Sequence, residues 1–136
     1  MRGFVDTSFL IALIDKSDKY FNDAQDCFKA QVSSGTVLLT SNLVLAETLT
    51  WLRYHAGFRY AKEFGEKFRH SKIIKTIWVD QELERTAWEI FLKYSDQSLS
   101  YVDCFSFACM RVDKIDLALT FDRHFQQVGF NVIPQK

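Results

Sequence analysis

The sequence predicts an α/β domain built on a parallel sheet, with helices on both faces. Short strand-like runs alternate with longer helical runs along the chain, and no hairpin signal joins one strand to the next. Such strand–helix–strand alternation is typical of parallel sheets, whose crossovers are right-handed. The chain has 136 residues, 48% of them hydrophobic, so we expect a single domain, 1–136, with one continuous core.

Five runs are strand-like, and the second of them is rich in β-branched residues, which favour strands. The five runs are GFV (3–5), TVLLT (36–40), IIKTIWV (73–79), LALTF (117–121) and NVI (131–133). Ser33, Ser34 and Gly35 break the chain before the second run. Pro134 directly follows the last run, which predicts a short fifth strand.

Helical runs connect these strands, with two helices in each of the three longer connections. The helical runs cover residues 8–16, 20–32, 42–57, 58–69, 82–94, 100–112 and 122–127. The run at 82–94 has the clearest amphipathic pattern, with Leu83, Ala87, Ile90 and Phe91 on one apolar stripe. Gly57 predicts the end of the third helix, because glycine readily follows a helix end.

The composition excludes several classes of protein. Positive and negative residues balance at 17 each, so neither half of the chain predicts a polyanion partner. Cys27, Cys104 and Cys109 lack a zinc-like spacing, and their odd number favours a reducing compartment. The apolar run FLIALI is far shorter than the ~20 residues that span a bilayer. We therefore expect a soluble, cytoplasmic protein without a membrane partner.

One segment of this neutral chain is locally basic. Between positions 53 and 75, seven bases face only two acids, Glu63 and Glu66. The seven bases are Arg53, Arg59, Lys62, Lys67, Arg69, Lys72 and Lys75. The simplest interpretation is the solvated face of a helix, and the sequence assigns the segment no further role.

Four carboxylates are predicted to meet at the carboxyl edge of the sheet. Asp6 ends the first strand, and Asp122 directly follows the fourth. Asp103 lies near the start of the helix that leads into the fourth strand, and Glu47 lies ~7.5 Å into the helix after the second. These helices start at the edge where open α/β folds bind ligands. The four side chains therefore converge on one predicted cleft.

Each aspartate also has a purely structural interpretation. Asp103 completes a capping-box pattern with Ser100, in which both side chains bind free backbone N–H groups at the helix start. Asp122 can cap the turn that follows it, and Asp6 can end its strand in a turn. Any one of these acids alone is therefore weak support for a site.

Glu47 is harder to explain by structure alone. Its neighbours on the helix surface are Leu43, Val44, Trp51 and Tyr54, and a carboxylate among apolar side chains must be paired, protonated or bound to a cation. An arginine partner stays open, although the sequence positions none there. Carboxylates without a His or Cys cluster suit Mg²⁺ or Mn²⁺, and such ions act on phosphate groups. The sequence thus favours phosphoryl transfer or phosphodiester hydrolysis.

Four motifs, in the right order, resemble the PIN-domain nucleases. The motifs are FVDTSFLIALID near the start, LTSNLVLAETLTWL in the middle, LSYVDCFSFACM later and LALTFDRHFQQVGFNVIP at the end. Within this family, the chain is most similar to the VapC-type ribonuclease toxins of type II toxin–antitoxin pairs. The resemblance runs from residue 3 to 134, nearly the whole chain.

The resemblance implies a five-stranded parallel sheet in the order 3-2-1-4-5 and Mg²⁺- or Mn²⁺-dependent cleavage of RNA. The family's four acidic positions, which are catalytic and bind metal, are matched by Asp6, Glu47, Asp103 and Asp122. Its small hydroxyl positions, which orient water or the carboxylates, are matched by Thr7 or Ser8 and by Thr120. The resemblance also implies a homodimer, and a small cognate antitoxin that covers the cleft.

The resemblance further implies a distinct role for each acid in the cleft. Asp6 is the central metal ligand, and Asp103 and Asp122 complete the metal shell. Glu47 holds the attacking water or accepts its proton, and cleavage leaves a 5′-phosphate. His124, although near Asp122, is expected to be a surface residue, while Trp78 and Trp88 are expected in the core or at a dimer interface.

Other interpretations share these residues. An RNA-processing or DNA-cleaving nuclease without an antitoxin has the same fold and site, and a short reading frame just upstream of the gene would argue against it. A catalytically idle PIN fold that binds proteins has no need for mutually repelling acids. A haloacid-dehalogenase phosphatase requires a second Asp where Ser8 stands, and a phosphate-accepting receiver domain requires paired acids where only Asp6 stands.

Overall fold

Five strands pair into one sheet in the computed structural model, which describes residues 1–135. The strands are β1 (Arg2–Val5), β2 (Val37–Ser41), β3 (Ile74–Ile77), β4 (Leu117–Leu119) and β5 (Asn131–Ile133). Their spatial order is β3-β2-β1-β4-β5, and every pairing is parallel. The predicted fold class and strand order are therefore confirmed.

Seven helices connect the strands within the described residues, and each matches one predicted helical run to within two residues at either end. The helices are α1 (Thr7–Ile14), α2 (Phe21–Ser33), α3 (Asn42–His55), α4 (Phe58–His70), α5 (Gln81–Lys93), α6 (Tyr101–Val112) and α7 (His124–Gln127). Gly57 follows α3 with a φ of +96°, a conformation open to glycine, and the chain turns there into α4. None of the helices in residues 1–135 has the length and apolar character needed to cross a membrane.

The helices form two layers. Strands β1, β2 and β3 advance in one direction across the sheet, so right-handed crossovers place α1–α4 on one face. The chain then returns to β4 and β5, which places α5–α7 on the opposite face. Helix α1 packs against α2 and α3, and α5 packs against α6. The core on both faces includes the fully buried rings of Phe4, Phe9, Phe107 and Phe125.

The strand ends align at one edge of the sheet, which we call the carboxyl rim. Val5 pairs with Leu119, and Ser41 pairs with Ile77, so β1 to β4 end at similar heights. Helices α1, α3 and α6 begin at or close to this rim, because helices in parallel crossovers run antiparallel to the strands. The rim is therefore the place where the predicted acids can meet.

The third strand is shorter than predicted. It ends at Ile77, and the backbone N–H of Val79 donates to Asn42 Oδ1 at 2.8 Å instead of extending the ladder. Trp78 between them is 71% exposed, and Trp88 on α5 is also exposed. Neither tryptophan lies in the core, and a place at a dimer interface stays a prediction for both.

Candidate metal centre

A cavity of about 370 Å³ opens at the carboxyl rim. The lining residues are Asp6, Thr7, Ser8, Ile11, Glu47, Trp51, Ser100, Asp103 and Asp122. The structure thus brings all four predicted acids to one cleft, together with Thr7 and Ser8. Thr120 lies behind the lining, within hydrogen-bond distance of Asp6 and Ser8.

Asp6 is the most deeply buried of the four acids, with 4% exposure. Its backbone N–H donates to the carbonyl of Leu119 at 3.0 Å, which holds the residue at the junction of β1 and β4. As the N-cap of α1, its Oδ2 accepts from the Ser8 N–H at 3.4 Å and from the Ser8 hydroxyl at 2.8 Å. The Thr120 hydroxyl donates to the same oxygen at 2.8 Å. Oδ1 is therefore the oxygen available to a ligand in the cleft.

The two hydroxyls that bind Asp6 also hold the loop after β4. Ser8 Oγ accepts from the backbone N–H of Phe121 at 3.0 Å, and Thr120 Oγ1 accepts from the N–H of Asp122 at 2.9 Å. Each hydroxyl has a single proton and donates it to Asp6, so each serves the loop as an acceptor. The carboxylate of Asp6 therefore orients both hydroxyls, and they in turn position the backbone that presents Asp122.

Burial perturbs Asp6 strongly. Its pKa is raised from 3.8 to about 6, chiefly because the carboxylate is removed from water. The hydrogen bonds from Ser8 and Thr120 lower this pKa, and the negative charges of Asp103 and Asp122 raise it. A cation bound beside Asp6 would relieve both the burial cost and the repulsion.

Asp103 combines helix capping with a place in the cleft. Its backbone N–H donates to Ser100 Oγ at 3.0 Å, and its Oδ2 accepts from the Ser100 N–H at 3.1 Å, which confirms the predicted capping box. The pKa of Asp103 is raised, mainly by burial and also by the charges of Asp122 and Glu47. The cap engages Oδ2 alone, so a capping role and a ligand role are compatible.

Asp122 pairs with a residue that the sequence did not single out as functional. Its Oδ1 accepts from the backbone N–H of His124 at 2.9 Å and lies 2.8 Å from His124 Nδ1. One ligand atom from each of Asp103, Asp122 and His124 lies within 4.8 Å of the others, close enough to share a cation. The His124 side chain is only 22% exposed, so its predicted surface position is only partly right. The one signal in the sequence is its spacing, two residues after a candidate ligand.

Glu47 lines the cleft, but it is not enclosed by apolar side chains as expected. Its side chain is exposed, and Tyr54 on the same sector of α3 is 84% exposed. Val44 and Leu43 on this sector belong to or pack against the core, whereas Glu47 and Tyr54 face solvent at the mouth of the cleft. The inference that Glu47 needs a cation because of an apolar environment is therefore wrong, although its position in the cleft is as predicted.

The cleft concentrates negative charge without a compensating cation. Four of its lining residues carry carboxylates. Within residues 1–135, the lining contains no lysine or arginine. The Thr7 hydroxyl is buried and has no hydrogen-bond partner within residues 1–135. Hard oxygen donors of this kind fit Mg²⁺ or Mn²⁺.

Comparison with known proteins identifies the family. The PIN domain family matches residues 3–131. The chain is 37% identical over 127 residues to the 23S rRNA-specific endonuclease VapC20 of Mycobacterium tuberculosis, which covers 93% of this chain and 94% of that protein. It is 29% identical over 128 residues to a VapC ribonuclease of Archaeoglobus fulgidus, with coverage of 92% and 80%.

Solved structures agree with the sequence comparison. The crystal structure of M. tuberculosis VapC20, described as a sarcin-ricin loop cleaving toxin, matches with a TM-score of 0.83 over 94% of this chain and 95% of that one. VapBC2 from Rickettsia felis, bound to a DNA fragment from its promoter, shares the fold with a TM-score of 0.75 at 12% identity, over 97% of both chains.

The parallel sheet and the acid cleft at its carboxyl rim define the class: this chain belongs to the PIN-domain family. Within that family, the predicted resemblance to the VapC-type ribonuclease toxins is confirmed by the identity to VapC20 over nearly the full length of both chains.

Proposed function

We propose that the protein is a Mg²⁺- or Mn²⁺-dependent endoribonuclease that acts in the cytoplasm as the toxin of a toxin–antitoxin pair. The observation that supports this most directly is the gathering of four carboxylates in one cleft. Its described lining contains no lysine or arginine to balance their charge. The 37% identity to an RNA endonuclease supports RNA as the substrate. The reaction is hydrolysis of an RNA phosphodiester bond.

Asp6, Asp103 and Asp122 are the proposed metal ligands. Asp6 follows β1 directly and Asp103 lies in the first turn of α6. Asp122 lies in the loop after β4, where the Thr120 hydroxyl holds its backbone N–H. His124 adds a nitrogen beside Asp122. A divalent cation bound there supplies Lewis acidity toward the phosphate and makes a nearby water more acidic.

Glu47 is the proposed acceptor of the proton from the attacking water. It lines the cleft from α3, and its side chain is exposed. Contact with solvent lets a carboxylate pass an accepted proton on to bulk water. Ser8 and Thr120 act as positioning residues through Asp6 Oδ2.

The charge of the cleft predicts that binding of RNA in it depends on metal. RNA phosphates and four carboxylates repel each other, most strongly in the low-dielectric surroundings of Asp6. A divalent cation held by Asp6, Asp103 and Asp122 would reverse the sign of this interaction. These residues would then help to hold the scissile phosphate as well as support the chemistry.

Cleavage of RNA by the purified protein tests the proposal. We expect cuts in 23S rRNA or another structured RNA with millimolar Mn²⁺ or Mg²⁺, and no cuts with a chelator. Asp6→Asn should lower the rate at least ~100-fold, because it removes the charge of the central ligand. The matched control is Asp116→Asn, which removes a charge from an exposed residue at the opposite end of β4.

Two outcomes would contradict the proposal. Cleavage that persists in Asp6→Asn near the wild-type rate would show that the acid cleft is not the active site. Absence of cleavage, together with no thermal stabilisation by Mn²⁺ or Mg²⁺, would favour a catalytically idle PIN fold that binds proteins.

We also propose two protein partners, a second copy of this chain and a cognate antitoxin. An exposed apolar patch on α5, formed by Trp88, Phe91 and Leu92, supports the first. Light scattering should give twice the mass of one chain, and Leu92→Glu should halve it.

Co-expression with the reading frame just upstream should yield a complex without ribonuclease activity. A monomeric wild-type protein, or an upstream product that does not bind, would contradict the respective proposal.

A further inference from the structure

A second and larger cavity, of about 560 Å³, lies beside the edge strand β3. We call it the edge groove. Its lining residues are Leu45, Phe68, Arg69, Ser71, Lys72, Ile74, Lys75, Thr76 and Trp78. It therefore contains the C-terminal part of the basic segment 53–75, together with an aromatic ring on each side, and it shares no lining residue with the acid cleft.

The basic side chains that line the edge groove have no acidic partner within residues 1–135. Arg69, Lys72 and Lys75 line it, and its lining includes no carboxylate. No carboxylate within residues 1–135 forms an ion pair with these three side chains. Earlier on α4, by contrast, Arg59 pairs with Glu63 at 3.6 Å and Lys62 pairs with Glu66 at 2.9 Å. The predicted solvated helix face describes the segment up to Arg69, whereas Lys72 and Lys75 are exposed residues that follow the end of α4.

Trp78 adds an exposed aromatic surface to these charges. Its side chain is 71% exposed, and no other aromatic ring within the described chain stacks on it. The next residue, Val79, is anchored by its N–H to Asn42 Oδ1, so the backbone beside the indole is held in place. A solvent-exposed indole next to unpaired lysine and arginine side chains is the combination with which proteins bind unpaired nucleotides, by stacking on the base and pairing with the phosphate.

The sheet places the edge groove near the acid cleft. Phe4 pairs with Leu39, and Ser41 pairs with Ile77, so Trp78 follows its strand at about the same height as Asp6 follows β1. Strands β1 and β3 are separated only by β2, which corresponds to roughly 10 Å across the sheet. A nucleic-acid strand with one phosphate in the cleft can therefore extend along the rim into the groove.

We propose that the edge groove binds an unpaired segment of the RNA substrate that flanks the cleaved bond. Arg69, Lys72 and Lys75 pair with its phosphates, and Trp78 stacks on one of its bases. The proposal rests on the proposed ribonuclease function and extends it, because it adds a binding surface outside the acid cleft. An acidic extended peptide that pairs with the edge of β3 is the rival occupant, but it does not account for the exposed indole.

Binding of a fluorescein-labelled, unstructured RNA in the presence of Mn²⁺ tests the proposal. Glu47→Gln is the parent, because it keeps the three proposed metal ligands and removes the proposed proton acceptor, so the RNA stays intact. In this parent, Trp78→Ala should weaken binding about tenfold, and Trp78→Phe should retain most of the affinity. The double variant Lys72→Ala with Lys75→Ala should reduce the slope of log Kd against log salt concentration by about 1.4. Each phosphate contact with a single strand contributes ~0.7 to this slope. Arg59→Ala with Lys62→Ala removes the same charge from the paired end of α4 and is the matched control.

The results distinguish the groove proposal from the ribonuclease function on which it rests. Equal weakening by the groove and control variants, or unchanged binding in the groove variants, would overturn the proposal, as would a parent that does not bind RNA. Groove variants that bind RNA normally but lose a labelled acidic peptide would assign the groove to a protein partner. Cleavage by the wild-type protein is measured separately, so its absence would count against the ribonuclease function itself. Equal melting temperatures show that all variants are folded.

Discussion

Asp6→Asn is expected to abolish RNA cleavage and, at the same time, to stabilise the protein in the absence of metal. Asparagine is as good an N-cap as aspartate, and its side-chain oxygen can still accept from Ser8 and Thr120. The substitution removes only the buried charge, which the fold tolerates at a cost. A residue that is retained at the expense of stability is typical of a functional site.

The size and pH dependence of this effect follow from the pKa of Asp6. In the folded state the pKa is about 6, against 3.8 for the unfolded chain, so the folded state binds the proton more tightly. The stabilisation from this group is complete below pH 3.8 and is lost as the pH rises through about 6. The loss amounts to roughly 3 kcal/mol. Asp6→Asn should therefore gain up to that amount at pH 7 and nothing below pH 3.8.

Denaturant unfolding in the presence of a chelator, between pH 4 and pH 8, measures this prediction. The free energy of unfolding of the wild-type protein should fall relative to that of Asp6→Asn as the pH rises, and the two should converge at low pH. Addition of Mn²⁺ should stabilise the wild-type protein and not the variant. An Asp6→Asn protein that is less stable than wild type at pH 7 without metal would contradict the assignment of a costly buried charge.

Asp103→Asn and Asp103→Ala are expected to have the same effect on activity and different effects on stability. Both remove a proposed metal ligand and should lower cleavage at least ~100-fold. The asparagine oxygen can still accept from the Ser100 N–H and preserve the capping box, whereas alanine loses this bond at a cost of about 1 kcal/mol. Since burial raises the pKa of Asp103, the asparagine variant should be at least as stable as the wild type without metal.

Cleavage assays and thermal unfolding of the same three proteins separate the cap from the charge. Ser100→Ala is the control, because it removes the other half of the capping box and leaves the carboxylate in place. Ser100→Ala should resemble Asp103→Ala in stability and the wild type in metal-dependent stabilisation. An active Asp103→Asn protein would show that Asp103 serves the helix alone.

Local pattern was sufficient for the fold and for three of the four acids. Apolar runs and helical periodicity predict the five strands and seven helices, and alternation without hairpins predicts a parallel sheet. Asp6 directly follows β1, Asp122 lies three residues after β4, and Asp103 lies in the first turn of α6, so their short distances from a strand end or helix start already place them at the rim. Their approach to one another follows from topology, because parallel strands end at the same edge.

Exposure and charge compensation were not predictable in the same way. Glu47 and Trp78 lie in apolar stretches of sequence, yet both are exposed, because no distant element within residues 1–135 covers either side chain. His124 approaches Asp122 through the tight turn after β4, and the sequence spacing of the pair is only a weak signal of it.

The order of residues along the chain was enough to specify the elements, the sheet and the edge at which the carboxylates gather, since these depend on periodicity and on short connections. Packing between distant elements decided which carboxylate is buried, which hydroxyls bind it and which cations stay unpaired. Burial and pairing depend on distances between residues far apart in sequence, and those distances exist only once the layers have packed.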